Sequence, residues 1–257
     1  MNMRVNQREN SIVEYINQFE SATVSELSSR FNVSEITIRR DLERLSEKRV
    51  INRVHGGARR MDAPEIEASV TEFRQKSESM LQEKVRIGQR ACQFVKDFDT
   101  VFMNSGTTVL QFLKQLQCQG VTIVTNNVAA LDTPHYPGID ILMLGGVYNE
   151  RTRSVGGEIT SSNLLNIYST CTILGVNALD LNEGMTTSVY HECTANNAMI
   201  SHSRGKVIVL ADSSKMGKIS SYVSSPLSKI DVIITDSACP GEFVAGFEAK
   251  GIEVITV

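Results

Sequence analysis

No apolar run in this chain is long enough to cross a bilayer, and residues 1–20 are too polar for a signal peptide. A membrane span and an export route are therefore not expected, and the cytoplasm is the expected address. The five cysteines, Cys92, Cys118, Cys171, Cys193 and Cys239, are odd in number, scattered, and lack any Cys-x-x-Cys spacing. That pattern excludes a disulfide framework and gives no zinc site, so no metal is expected. Also missing are the Gly-x-Ser-x-Gly elbow, the Walker phosphate loop and the His-Glu-x-x-His pair, together with any internal repeat or low-complexity tract. The commonest signatures of hydrolases, nucleotidases and zinc peptidases are thus absent; no cofactor and no catalytic residue is expected.

What the chain does carry is an uneven distribution of charge. Residues 1–60 hold 11 basic and 8 acidic groups, leaving 15 and 21 of the chain's 26 and 29 for the remainder. A mildly basic amino-terminal part on an otherwise acidic chain pairs a nucleic-acid module with a second domain of different duty. Within residues 39–60 the bias sharpens to eight basic side chains against three acidic ones, the footprint of a surface that neutralises phosphates.

The local pattern there predicts a helix-turn-helix followed by a hairpin wing. Ser34 is a favourable N-cap, and Ile38, Leu42 and Leu45 recur at helical spacing, so one stripe of the following helix buries. Asn6 with Glu9, and Thr23 with Glu26, fit capping boxes opening two earlier helices, with apolar sets Ile12, Ile16, Phe19 and Val24, Leu27, Phe31. Asn32 and Val33 make the tight turn, and Val50, Ile51 and Val54 before Gly56-Gly57 form the wing. The candidate DNA-contacting residues are Ser34, Glu35, Ile36, Thr37, Arg39, Arg40 and Arg44 on the helix, with Arg53, His55, Arg59 and Arg60 on the wing. Their hydroxyl, methyl and guanidinium groups suit base edges, thymine methyls and phosphates.

From residue 100 onward, short and continuously apolar runs alternate with helical segments. The runs are Thr100–Met103, Val121–Thr125, Ile139–Leu144, Cys171–Val176, Lys206–Ala211, Asp231–Thr235 and Ile252–Val257; the helices include Thr108–Leu116 and Val189–Ser203. Such alternation predicts an α/β domain with a mainly parallel sheet covered on both faces. The expected division is a winged helix-turn-helix over 1–60, a linker or surface helix over 61–79 interrupted by Pro64, and an α/β sensor domain over 80–257 that opens on a helix marked by Leu81, Val85, Gly88, Cys92 and Val95. In such sheets ligands gather at the carboxyl ends of the strands. Asn104-Ser105-Gly106-Thr107-Thr108 ends the first run and opens a helix, so its hydroxyls, its glycine and the helix amino terminus make a candidate anion site. Lys215, on a later strand-end loop, is placed to converge on the same anion.

Val-Ser-Glu-Ile-Thr-Ile-Arg-Arg-Asp-Leu over 33–42, then Val-His-Gly-Gly-Ala over 54–58, resembles the winged helix-turn-helix signature of the DeoR family of bacterial sugar-catabolism repressors. The resemblance runs on through Ser105-Gly106-Thr107-Thr108, Val124-Thr125-Asn126-Asn127, Gly145-Gly146 and Asp212-Ser213-Ser214-Lys215. It implies a carboxyl-terminal domain similar to ribose-phosphate isomerases, glucosamine-phosphate deaminases and CoA transferases that binds phosphorylated sugars. It implies too that Ser105, Gly106, Thr107, Thr108 and Lys215 grip the phosphate, with Thr125, Asn126, Gly145, Gly146, Gly184 and Glu192 around the sugar. The chain departs from the common pattern at Asn104, where Asp is frequent, and at Asn196-Asn197, where a basic residue often stands.

Three functions follow. The first is a DNA-binding regulator, a repressor of a carbohydrate-catabolism operon, working as a dimer or tetramer on double-stranded operator DNA under control of a phosphorylated sugar. The second is a sugar-phosphate isomerase or deaminase with a fused DNA-binding module, in which Glu158, Asp180, Glu183, Glu192 or Asp212 serves as base. The third, a ligand-free architectural DNA protein, leaves the hydroxyl- and glycine-rich strand ends without a role.

Overall fold

The computed structural model describes residues 5–47, 50–54, 56–60 and 73–257, with the side chains of 5–7 and 47 outside that description. The chain divides into two compact units, residues 1–68 and 69–257.

The first unit contains α1 (Val5–Phe19), β1 (Ser21–Thr23), α2 (Val24–Phe31), α3 (Glu35–Glu47), β2 (Ile51–Val54) and β3 (Gly57–Arg60). Thr23 caps α2 as expected: its hydroxyl accepts from the Glu26 amide at 3.2 Å, and the Glu26 carboxylate accepts from the Thr23 amide at 2.7 Å. That reciprocity holds the Glu26 carboxyl below its ordinary value, the backbone hydrogen bond being the larger cause. Asn6, by contrast, lies inside α1 and does not precede it. Asn32 turns the chain between α2 and α3 in the left-handed conformation, φ 51°, a conformation that Asn tolerates better than most side chains.

The wing proves to be three-stranded, because β1 joins the hairpin in the order β1-β3-β2. Three residues between two helices carry too short a pattern to read as a strand, which is why the sequence did not announce β1. Its middle residue, Ala22, joins Ile12, Ile16, Val24, Leu27, Ile38, Leu42, Leu45, Ile51 and Ala58 in one small core.

The second unit begins with α4, whose described part covers residues 73–78. After it come α5 (Leu81–Ala91), β4 (Thr100–Met103), α6 (Thr107–Gln115), β5 (Val121–Thr125), β6 (Ile139–Met143), β7 (Val147–Asn149), β8 (Ser154–Gly156) and α7 (Glu158–Leu164). The remainder is β9 (Cys171–Gly175), β10 (Ala178–Asp180), β11 (Gly184–Thr187), α8 (Tyr190–Ser201), β12 (Val207–Leu210), β13 (Tyr222–Ser225), β14 (Val232–Thr235), α9 (Gly241–Glu248) and β15 (Glu253–Thr256). The seven apolar runs are the seven strands of one sheet, ordered β15-β14-β12-β9-β4-β5-β6, and every pairing in it is parallel. Alternate residues face opposite ways. Val101 and Met103 enter the core that holds Ile87, Val109 and Leu113, and Phe102 enters the one that holds Leu174, Met199 and Phe247.

Outside that sheet lie a β7-β8 hairpin and an antiparallel β10-β11-β13 layer. From β4 the strands that follow run one way, to β5 and β6, while β9 and β12 lie on its other side, so the order reverses between β4 and β9. The five cysteines are unpaired, and burial pushes the Cys92 and Cys171 thiols up to about 12.

Candidate functional site

In the first unit the residues of α3 sort by what holds them. Ser34 accepts from the Thr37 amide at 3.3 Å and so caps the helix, while Ile38, Leu42 and Leu45 are buried. Ile36 lies on the open side and is 66% exposed. Burying an isoleucine is worth about 2 kcal/mol, so nothing in the folding of this unit favours leaving it out. Beside it, Arg39 and Arg40 are exposed; Arg39 makes a loose 3.4 Å pair with Glu35.

Arg44 is different. Its Nε pairs with Glu9 at 3.0 Å and its Nη2 with Asp41, which is fully buried and also receives Arg8 at 2.6 and 3.2 Å. Arg44 is therefore committed to bracing α3 against α1, a use that its side of the helix could not reveal in the sequence. On the wing, Arg53 and Arg60 are exposed with loose pairs to Glu43 at 3.4 Å and Glu20 at 3.8 Å, and Arg59 is exposed as well. His55 lies outside the described residues.

In the second unit a cleft of about 220 Å³ opens at the carboxyl ends of β4 and β9, the point where the strand order reverses. Ser105, Gly106, Thr107, Thr108, Glu192 and Lys215 all line it. These six expected residues come from three separate stretches of chain. Among the described residues no side chain caps α6, which leaves its first amides available to the cleft that Gly106, Thr107 and Thr108 line. Gly106 is extended, φ 162°, and a Cβ there would meet nothing of the protein closer than 3.8 Å. Internal packing does not demand this glycine; its lack of a side chain keeps the backbone accessible from the cleft.

Glu192 stands across from the loop. Ser105 Oγ donates to it at 3.2 Å and Thr187 Oγ1 at 2.7 Å, yet burial dominates and pushes its carboxyl above the ordinary value. Glu158, Asp180, Glu183 and Asp212 do not line the cleft. Asp180 instead takes the amides of Asn182 and Glu183 in a turn, and buried Asp212 lies 3.9 Å from the Lys215 ammonium.

The remaining expected residues sit elsewhere. Asn104 is buried, exchanging bonds of 2.9 and 2.7 Å with the backbone of Gly175 and donating to Asn196 Oδ1 at 2.9 Å. The two departures noted in the sequence are thus one hydrogen-bonded pair clamping β4, β9 and α8. Thr125 and Asn126 are buried, accepting from the Asn127 amide and donating to the Val155 carbonyl respectively. Gly145 donates to Asn163 at 3.0 Å. Gly146, φ 148°, and Gly184, φ 75°, are required by packing, since a Cβ would lie 2.2 Å from Thr160 Oγ1 and 2.4 Å from the Ser225 carbonyl.

The cleft also has basic residues that the sequence reading missed: Lys76, Lys84 and Arg151. Arg151 comes from the β7-β8 turn. Lys84 is 3% exposed and belongs with Ile87, Gly88 and Ala91 to the buried face of α5, while Leu81 and Val85 are half exposed. A lysine occupying a position in an apolar stripe was the available signal.

A DNA-suited helix and wing in one unit, and a basic, hydroxyl-rich cleft at the switch of a parallel sheet in the other, agree with family comparison. Residues 8–63 match the DeoR-like helix-turn-helix domain, and residues 79–237 match the DeoR C terminal sensor domain. The chain belongs to the DeoR family. Among DeoR-type relatives, the uncharacterized HTH-type transcriptional regulator YulB of Bacillus subtilis is 32% identical over 256 residues, 99% of this chain and 98% of that one. The HTH-type transcriptional repressor GlcR of the same organism is 28% identical, covering 95% of this chain and 93% of its own. The lactose phosphotransferase system repressor of Staphylococcus epidermidis is 29% identical, covering 90% and 91%. Membership in the DeoR family makes this chain a helix-turn-helix transcriptional regulator. The ribose 5-phosphate isomerase of Plasmodium falciparum is similar at a TM-score of 0.37 and 17% identity over 52% of each chain, too distant to speak to function. Among the described residues no helix is long and apolar enough to cross a membrane, and no group of three or more His, Cys, Asp or Glu side chains is placed to hold a metal ion.

Proposed function

We propose that this protein is a cytoplasmic repressor of a carbohydrate-catabolism operon, and that a phosphorylated sugar bound in the switch-point cleft controls its grip on operator DNA. The cleft carries this reading. An uncapped helix terminus and the side chains of Lys84 and Lys215 favour a phosphate, while Glu192, held by Ser105 and Thr187, is placed to accept from a sugar hydroxyl. Ser34, Ile36, Thr37, Arg39 and Arg40 form the groove-facing surface and Arg53, Arg59 and Arg60 the phosphate-facing wing, used twice in a homo-oligomer so that two recognition helices meet two half-sites. In this reading the cleft senses its ligand without turning it over: Glu192 is the one carboxylate among its lining residues, so a pair of carboxylates to divide acid and base roles is not present there.

The test is a titration of candidate sugar phosphates into wild type and Lys215→Met, read by calorimetry and by operator binding. One of them is expected to bind wild type and alter operator affinity, and to bind the variant at least about tenfold more weakly, one charge-assisted contact being worth about 1.5–3 kcal/mol. Equal affinity in both would place the phosphate elsewhere, and conversion of the sugar to product would make the protein an enzyme.

A further inference from the structure

Lys84 poses a problem that the cleft alone does not solve. It is a buried ammonium, yet among the described residues no carboxylate lies within ion-pair distance of it; burial lowers its pKa, and Asp212 acts on it only through space. A buried charge without a counter-ion calls for one. Two of its three N–H donors are spent on main-chain carbonyls, those of Lys76 and, at 2.7 Å, of Ser79. Both carbonyls lie at the carboxyl end of α4, where a helix leaves acceptors without partners. Thr107 Oγ1, in the first turn of α6, donates to the same Lys76 carbonyl at 3.3 Å. The turn from α4 into α5 passes through Met80 at φ 52°, a left-handed conformation that a methionine adopts only when its surroundings hold it there.

These contacts form a row. The carboxyl end of α4 meets the Lys84 ammonium, and Lys84 and the first turn of α6 line the same cleft. We propose that Lys84 is a shared donor whose third N–H holds the anion in the cleft, so that filling the cleft fastens residues 73–80, the segment that leads back along the chain to the DNA-binding unit. The inference rests on the reading of the cleft as an anion site. It adds a second duty for Lys84 and a direction of coupling: an anion neutralises the buried ammonium, removes the cost of keeping it charged, and so strengthens its hold on the two carbonyls. The cleft then reports its occupancy through α4, not through the strand ends alone.

Amide hydrogen exchange on the full chain, in ionic-strength-matched chloride with and without saturating inorganic phosphate, tests this. In wild type, phosphate is expected to slow exchange at the first turn of α6 and, by at least about tenfold, across residues 75–84. In Lys84→Met, residues 75–84 are expected to exchange fast with or without phosphate, while amides around Ile87 and Leu113 stay protected and show that the fold persists. Lys215→Met serves as the control: it needs more phosphate, yet at saturation residues 75–84 are slowed as in wild type. Protection of α6 alone in wild type would overturn the coupling and leave the anion site standing; protection of neither would overturn the anion site and the coupling with it. The wild-type measurement decides the matter even if the Met variant does not fold.

Discussion

Single side chains in this protein are best understood by asking what each would lose elsewhere. Arg40 is exposed on the face of α3 opposite Ile38 and Leu42 and has no ion pair among the described residues, so its guanidinium does nothing for the fold. Replacing it with alanine is expected to weaken specific operator binding by about 1–3 kcal/mol while leaving helix content and unfolding midpoint in place. Undiminished affinity in a gel-shift titration would remove Arg40 from the groove. Glu192 makes the converse case. Its folded pKa lies above the ordinary 4.5 because burial disfavours the carboxylate. Below 4.5 the group is protonated in both states; as pH rises through the window up to its raised value the unfolded chain releases its proton first, and stability falls. Glu192→Gln escapes this loss. Its melting temperature relative to wild type is therefore expected to be higher at about pH 7 than at about pH 4. A difference independent of pH would mean that the carboxyl titrates normally.

At the scale of elements, helices are fixed to their neighbours by contacts that look like surface features in one dimension. Asp41 is the clearest, joining α3 to Arg8 of α1 with Arg44 alongside. Asp41→Ala leaves a guanidinium pair beside an apolar core, and breaking a buried pair from one side costs about 3 kcal/mol or more. Urea unfolding of the variant measures it; a loss under about 1 kcal/mol would show that water reaches the site. The same change is expected to weaken operator binding only through loss of folded protein, since Asp41 faces inward. Likewise Asn104 and Asn196, read separately as departures at a ligand site, act together as a clamp across β4, β9 and α8.

For the whole molecule the decisive feature is that each unit is built on apolar packing of its own. One is built on Ile12, Leu27, Ile38 and Leu42, the other on the two faces of the seven-stranded sheet. Calorimetric unfolding is therefore expected to show two transitions, and a bound sugar phosphate to raise only that of the larger unit. At a ligand concentration of about one hundred times Kd the gain is about 2.7 kcal/mol. A single transition moving as one with ligand would mean that the units unfold together. The proposed control requires only that the ligand favour one arrangement of the protein over another, and the segment tied by Lys84 is where the proposed coupling puts that preference into the chain.

The sequence by itself determined the elements. Seven continuously apolar runs became seven parallel strands with ends shifted by at most one residue, and the stripe Ile38, Leu42, Leu45 became the buried side of α3, because apolar period and capping chemistry are local properties. It also placed the Ser105–Thr108 loop, Glu192 and Lys215 as ligand-bearing, and these do line one cleft. Only the tertiary structure decided which polar residues face that cleft and which brace the backbone beside it. Thr125, Asn126, Gly146 and Gly184 occupy strand ends and turns like those of the cleft residues, yet their neighbours are other strands and loops. Lys84 and Arg44 carry charges that composition assigns to solvent, but folding turns Lys84 inward onto the carbonyls at the end of α4 and brings Arg44 the Glu9 carboxylate of α1. Distances between segments are absent from a linear pattern, and a side chain's role follows from what the fold sets within about 3 Å of it.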